Sequence, residues 1–284
     1  MRIVDSHVHV WSAQRAEYPW LDDVPELPRD VELDEFWPDQ AAAGVHEVVL
    51  VQAADNVEDT ENMLRTARAH NQVAGVVAWV PLRDATAAAV LLDRWRDAPV
   101  VGIRHLVHRD ADPDLLQHGS VHETLELLGE RHLTFDVCAE TPRLLGLVPA
   151  LAVRHPRTTF VVDHLGKPPI RERGWEPWAS LLAAAAEPPN VVAKLSGLDS
   201  AAAPGWTSAD LAPYVDHALE LFGPRRLMYG GDWPFALLAS RNYRQVWDGM
   251  QGTIEVLEGE DRRAVLGDAA RRVYGLRDSG QAAG

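Results

Sequence analysis

Eight short apolar runs, each followed by a segment of helical character, predict an α/β protein of the single (β/α)8 barrel class. Three observations carry this reading. The runs lack the apolar–polar alternation of a half-exposed strand, as expected when both faces are covered. The strand–helix alternation recurs through nearly all of the 284 residues. No G-x-G-x-x-G follows the first strand, which removes the dinucleotide-binding form of the main rival, an open doubly wound sheet. No linker or shift in composition interrupts the chain, so 1–284 reads as one domain, with a frayed tail from about Asp278 where Gly, Ala, Ser and Gln take over.

The first strand is Arg2–Val10, carrying His7 and His9 two residues apart. A proline- and acid-rich stretch from Trp11 to Asp34 is too broken for a helix. Its Trp11, Tyr18 and Trp20 suit either a pocket lid or wall, or the pins of a surface loop. Glu35–Gly44 reads as a helix closed by glycine, Glu47–Gln52 as a strand, and Val57–His70 as a helix capped by Asp55 or Asn56. Strands at Val73–Val80, Val100–Leu106, Leu133–Cys138, Thr158–Asp163, Asn190–Leu195 and Arg226–Tyr229 alternate with helices at Thr86–Asp97, Val121–Arg131, Pro142–Arg154, Trp175–Ala186 and Ser208–Phe222. Two helices, Tyr243–Glu258 and Glu260–Val273, close the chain.

Composition narrows the function. The chain is 46% hydrophobic and 24% charged, ordinary values for a globular enzyme. A net charge of −15 argues against nucleic acid or an anionic membrane as partner. The lone Cys138 forbids an internal disulfide and is expected to be a small buried hydrophobe. Met1 runs directly into a strand with no signal-peptide pattern, and no apolar run approaches a membrane span, so a cytoplasmic setting is expected. A homo-oligomer is compatible with the sequence, which specifies none.

In a (β/α)8 barrel the active site lies at the C-terminal ends of the strands. Those positions hold His7 and His9, Gln52, Trp79, Arg104 with His105, Asp136, His164, Lys194 and Asp232. Alternate strand residues share a face about 7 Å apart, so His7 and His9 can grip one metal ion or bracket one substrate oxygen. Asp232 suits a general base. His7, His9 and His164 suit a divalent-cation site or direct hydrogen-bond donors, and Arg104 and Lys194 offer positive charge for an oxyanion or a carboxylate. Taken singly, each has a plainer reading: a satisfied structural group, or a cation neutralising Asp136. Asp5 is expected to orient the strand or support a ligand histidine. There is no G-x-S-x-G, and Ser196 has no recognisable partner, so a serine nucleophile is not expected.

These residues fall within Asp5-Ser-His-Val-His-Val-Trp11, Tyr18-Pro-Trp-Leu21, Val51-Gln-Ala53, Gly102-Ile-Arg-His105, Phe135-Asp136, Asp163-His-Leu-Gly-Lys-Pro168, Lys194-Leu-Ser-Gly197 and Gly231-Asp-Trp-Pro234. In that order the motifs resemble the amidohydrolase-related ("amidohydrolase 2") family, and within it the sugar-lactonase branch typified by L-fuconolactonase. The likeness runs to Tyr274-Gly-Leu276. It implies a (β/α)8 hydrolase opening a lactone, usually a sugar-acid 1,4- or 1,5-lactone, to the hydroxy acid.

By the same resemblance, Asp232, His7, His9, His164 and Arg104 are the catalytic set. His105, Lys194, Trp79, Gln52, Trp233, His108 and Trp20 are assigned to substrate binding or the pocket walls. His7, His9, His164 and Asp232 would form a single divalent-cation site, zinc for example, although the family includes lactonases that need no metal. No nucleotide cofactor is expected. Two departures stand out. The fifth strand offers Asp136 and Cys138 where metal-dependent amidohydrolases commonly add a histidine. Ala269 stands where relatives usually carry an Asn before the closing helix, with Asp268 expected to cap instead. The rivals are metal-dependent decarboxylation of an aromatic or unsaturated acid, and a non-catalytic small-molecule-binding barrel.

Overall fold

Residues 1–277 are described in a computed structural model; the tail expected to fray lies outside them. Strands β1 (Ile3–Val8), β2 (Val45–Val51), β3 (Val73–Ala78), β4 (Val100–His105), β5 (Thr134–Val137), β6 (Phe160–Val162), β7 (Val191–Leu195) and β8 (Leu227–Tyr229) form one sheet in chain order, and its neighbouring strands run parallel. The two edges meet just past the strands. The Asp232 N–H donates to the His7 carbonyl (2.9 Å), the His9 N–H donates to the Trp233 carbonyl (2.7 Å), and Val8 bridges Trp233. First and last strands are thereby brought together at the C-terminal end, the juxtaposition the sequence required.

Two apolar layers hold the fold. Leu50, Phe135, Leu64, Leu125 and their neighbours fill the space between barrel and helices. Val4, Val49, Val51, Val77, Val161, Val192 and Met228 fill the barrel itself, where they meet Ala269, Ala270 and Tyr274 of the closing helix. Helices α1 (Leu33–Ala42), α2 (Val57–Ala69), α3 (Ala85–Arg94), α4 (Gly119–Glu130), α5 (Pro142–Arg154), α6 (Trp178–Ala186), α7 (Ser208–Phe222) and α8 (Tyr243–Thr253) follow the strands in turn. Asn56 caps α2 by accepting from the Asp59 N–H, resolving the choice between Asp55 and Asn56.

Several boundaries differ from expectation. The expected helix at Trp175–Ala186 starts at Trp178, after Pro177. The expected last helix is three pieces: α9 (Gly259–Arg263), a π turn (Ala264–Asp268) and α10 (Ala269–Val273). The wide turn sets Gly267 against the start of β1, where a Cβ would collide with the Arg2 carbonyl oxygen. Asp268 makes no capping bond, correcting the expected role: the helix runs through the π turn, so there is no free N-terminus to cap. Ala269 is buried at the base of the barrel interior, where a small apolar side chain fits.

The Trp11–Asp34 segment satisfies both readings offered for it. Trp11–Ser12 pairs antiparallel with Asp30–Val31, and Pro19–Asp23 is a 3-10 turn. Trp11 Nε1 donates to the Pro28 carbonyl (2.9 Å) and the Tyr18 hydroxyl to Asp59 (2.7 Å), pinning the loop. Trp20 anchors to the Ala53 carbonyl (2.7 Å) and walls a cavity. Among the described residues, no helix is long and apolar enough to cross a membrane.

Candidate active site

The cavity opens at the C-terminal end of the barrel and holds about 400 Å³. His9, Arg104, His164 and Asp232 line it, and His7 lies buried beside them. His7 Nε2 and His9 Nε2 are 3.1 Å apart, and they lie 3.7 and 3.5 Å from Asp232 Oδ1. His164 Nε2 is 4.0 Å from the same oxygen. The pairing register of β1 shifts between Asp5 and Val8. That irregularity lets Val4 face the barrel interior while His7 and His9, an odd number of residues further on, converge with it.

The other two groups are aimed by unusual backbone. His164 has φ 54°, ψ 34°, and Asp232 has φ 51°, left-handed conformations that cost free energy in non-glycine residues. Gly197, also left-handed at φ 57°, leaves the space they need: a Cβ there would lie 2.6 Å from His164 Nδ1 and 2.7 Å from Asp232 Oδ2.

Below the cavity floor lies a buried ionic cluster. Lys194 Nζ contacts Asp136 (2.6 Å), Asp163 (3.1 Å) and His7 Nδ1 (3.0 Å). Arg104 pairs with Asp163 at 3.1 Å, donates to the Gln52 carbonyl, and brings Nη1 within 3.3 Å of His7 Nε2. The Tyr274 hydroxyl donates to Asp136 (2.6 Å). Burial opposes charge on Asp232, but His164, His9 and His7 hold its carboxyl well below the usual range. Burial, reinforced by Lys194, lowers the His7 pKa, and burial lowers that of His9, so both imidazoles are neutral at pH 7.

The expected site residues therefore divide. His7, His9, His164, Asp232 and Arg104 come together, and Trp20 and His108 wall the cavity. Lys194, expected to bind substrate, is fully buried below the floor and outside the cavity lining, where two aspartates claim it as a counter-ion. His105, Trp79, Gln52 and Trp233 also stand off the cavity lining. Trp79 donates to His105 (3.0 Å), whose other nitrogen faces Asp110 and Asp55. Gln52 bonds Asp55 and the Arg104 carbonyl, and Trp233 packs on Phe36 and Tyr243.

Asp5 supports no histidine ring: it accepts from the N–H groups of His7 and Gly231 and from Gln40 and Tyr243, fastening β1 to β8. Ser196 does have a partner, His164 Nδ1 at 2.9 Å, but it is buried away from the cavity and orients that ring. Cys138 is buried as expected, and burial pushes its thiol up.

Sequence reasoning missed Glu140, Lys167 and Phe235 in the wall. For Glu140 a signal existed: Asp136, Cys138 and Glu140 alternate, so the period-2 reading needed only to run past the strand's end. Lys167 lay within a quoted motif, but its direction depends on a left-handed turn that no periodicity predicts.

The donor set fits a single metal ion. A tetrahedral zinc site needs donor atoms about 3.4 Å apart, and His7, His9 and Asp232 offer 3.1, 3.5 and 3.7 Å. His9 Nδ1 lies 2.8 Å from the Val51 carbonyl, a contact that leaves the Nε2 lone pair facing the site.

A family model described as amidohydrolase matches residues 4–276. The chain is 35% identical over 237 residues to an L-fucono-1,5-lactonase of Burkholderia ambifaria, spanning 83% of this chain and 81% of that protein. It is 33% identical over 286 residues to one of Burkholderia multivorans, spanning 96% of each. A crystal structure of an amidohydrolase from Burkholderia multivorans with bound zinc superposes with a TM-score of 0.90 at 32% identity, covering 98% of this chain and 100% of that one.

Proposed function

Because the chain belongs to the amidohydrolase family, we propose that it is a lactonase, opening a sugar-acid 1,4- or 1,5-lactone to the hydroxy acid. The observation that carries this reading is the convergence of His7, His9, His164 and Asp232 on the floor of a cavity of about 400 Å³. The cavity is of the size that takes a small ring, and the lactonase names of the relatives point the same way.

In the mechanism, Asp232 is ionised and takes a proton from the attacking water. The imidazoles of His9 and His164 beside it position that water over the lactone carbonyl. Arg104, charged and buried next to His7, faces the oxygen on which negative charge develops; in this dry setting a fixed cation stabilises the tetrahedral intermediate strongly. The groups that hold Asp232 ionised also make it a reluctant store of the proton, which passes on to the ring oxygen as the C–O bond breaks. A divalent ion such as zinc, held by His7, His9 and Asp232 with His164 beside them, would add polarisation of the carbonyl.

The test is proton release across a panel of 1,4- and 1,5-lactones, with spontaneous hydrolysis subtracted. Turnover of one stereochemical class is expected, with Asp232→Asn lowering kcat by about 10²–10⁴ while the circular dichroism spectrum is unchanged. Near-normal turnover in that variant would remove Asp232 from its role. Silence of the wild-type protein across the panel, with zinc added, would sink the lactonase reading.

A further inference from the structure

The cavity has two unlike walls, and the barrel topology sets them opposite one another. Trp20 and Val24 come from the segment after β1, and Phe235 and Leu238 from that after β8, neighbouring strands in the ring. The Trp20 and Phe235 rings lie 4.9 Å apart, a continuous apolar surface. Across the barrel, the segments after β4, β5 and β6 supply His108, Glu140 and Lys167.

Those three side chains are not used by the mechanism, and their state is unusual. Lys167 Nζ stands 3.6 Å from Glu140 Oε1, a contact beyond hydrogen-bond length that leaves donors and lone pairs open to a third party. His108 Nδ1 is buried with no hydrogen-bond partner among the described residues. Lys167 is fixed relative to the reacting cluster, since its left-handed backbone closes the turn that carries His164 and its N–H donates to the His164 carbonyl (2.9 Å). Burial works against the charge of Glu140, but Lys167 and then His108 hold its carboxyl low, so at neutral pH it is an acceptor.

Two of the nearby cations already face carboxylates. Arg104 faces Asp163 at 3.1 Å and Arg109 faces Asp23 at 2.8 Å, while Arg171, exposed at the rim, bonds the Ala202 carbonyl. A substrate carboxylate placed beside Lys167 would also meet Glu140.

Resting on the lactonase reading, we infer that Glu140 and Lys167, beside His108, form a site that selects for two neighbouring hydroxyl groups on the ring. Its less polar face lies on Trp20 and Phe235. One hydroxyl donates to the carboxylate and the next accepts from the ammonium, with His108 in the wall beside them. A flat lactone bearing carboxylate or sulfonate groups is disfavoured by the same carboxylate.

The experiment compares wild-type protein with Glu140→Gln and Lys167→Met. Calorimetry measures binding of a polyhydroxylated δ-lactam, which cannot be hydrolysed under assay conditions, and of unsubstituted δ-valerolactam. Hydrolysis of the matching lactones is followed in parallel. Wild-type protein is expected to prefer the hydroxylated ring, and each variant to lose that preference by about tenfold to a hundredfold, seen in KM more than in kcat. A preference unchanged in both variants, or a wild-type preference for an anionic ring, would overturn the inference. The lactam arm does not depend on turnover, so a protein that binds the polyhydroxylated ring through Glu140 but hydrolyses no lactone would sink the lactonase reading and keep the site.

Discussion

At the scale of single residues, burial sets the charge of the polar groups around β1. Asp5 is sealed between β1, β8 and α8, and burial raises its pKa from 3.8 to about 6 against the pull of its four donors. The folded state therefore holds this proton more tightly than the unfolded chain. Its contribution to stability is present below about pH 4 and is lost as pH rises to about 6, a change on the order of 3 kcal/mol. Asn mimics the protonated form and does not titrate. In urea unfolding, the advantage of wild type over Asp5→Asn should shrink from pH 4 to pH 6.5; an advantage independent of pH would refute the shift. His7 and His9 behave oppositely, remaining neutral below the ordinary imidazole range. The acid limb of kcat/KM on the preferred lactone is accordingly expected below pH 6.5, and a pH–rate profile reads it directly.

At the scale of elements, the site depends on departures from regular geometry. The register shift in β1 turns both histidines inward, and the left-handed turn after β6 presents His164 and Lys167 together. The π turn before α10 acts at the other end of the barrel, lowering Gly267 onto the Arg2 carbonyl so that Ala269, Ala270 and Tyr274 plug the base. An added methyl group at Gly267 has backbone in its path, and backbone yields poorly. Gly267→Ala is expected to cost about 1–3 kcal/mol in chemical denaturation. A neutral result would show that the plug shifts without penalty.

At the scale of the molecule, one ionic cluster links the base of the barrel to its mouth. Tyr274 from the end of the chain reaches Asp136 on β5, Lys194 on β7 joins Asp136 to Asp163 beyond β6, and Arg104 on β4 and His7 on β1 complete the ring. Removing its central cation leaves two buried carboxylates short of a partner. Lys194→Met should lose about 3–5 kcal/mol of unfolding free energy, far more than removal of an exposed arginine from a surface ion pair. A loss under 1 kcal/mol would mean that the aspartates take up protons instead, which a changed pH dependence of unfolding would reveal. The acidic surface, −15 overall, is separate from this interior balance.

The sequence by itself determined the barrel class, the order of its strands, and the pairing of His7 and His9 with Asp232, because these rest on local apolar runs and on a ring topology that returns the last strand to the first. It also marked His164, Arg104, Trp20 and His108. Only the tertiary structure decided depth and partnership. Lys194 carries a strand-end signature like Arg104, yet Asp136 on β5 and Asp163 just beyond β6 hold it below the floor. His105 carries one too, but Trp79 and Asp110 hold it off the cavity. Glu140 and Lys167 are distant in sequence and meet only because adjacent strands end side by side. Period-2 alternation is a property of a few consecutive residues. Which buried charge faces which, and whether a register shift reverses a face, follow from closing the whole ring around them.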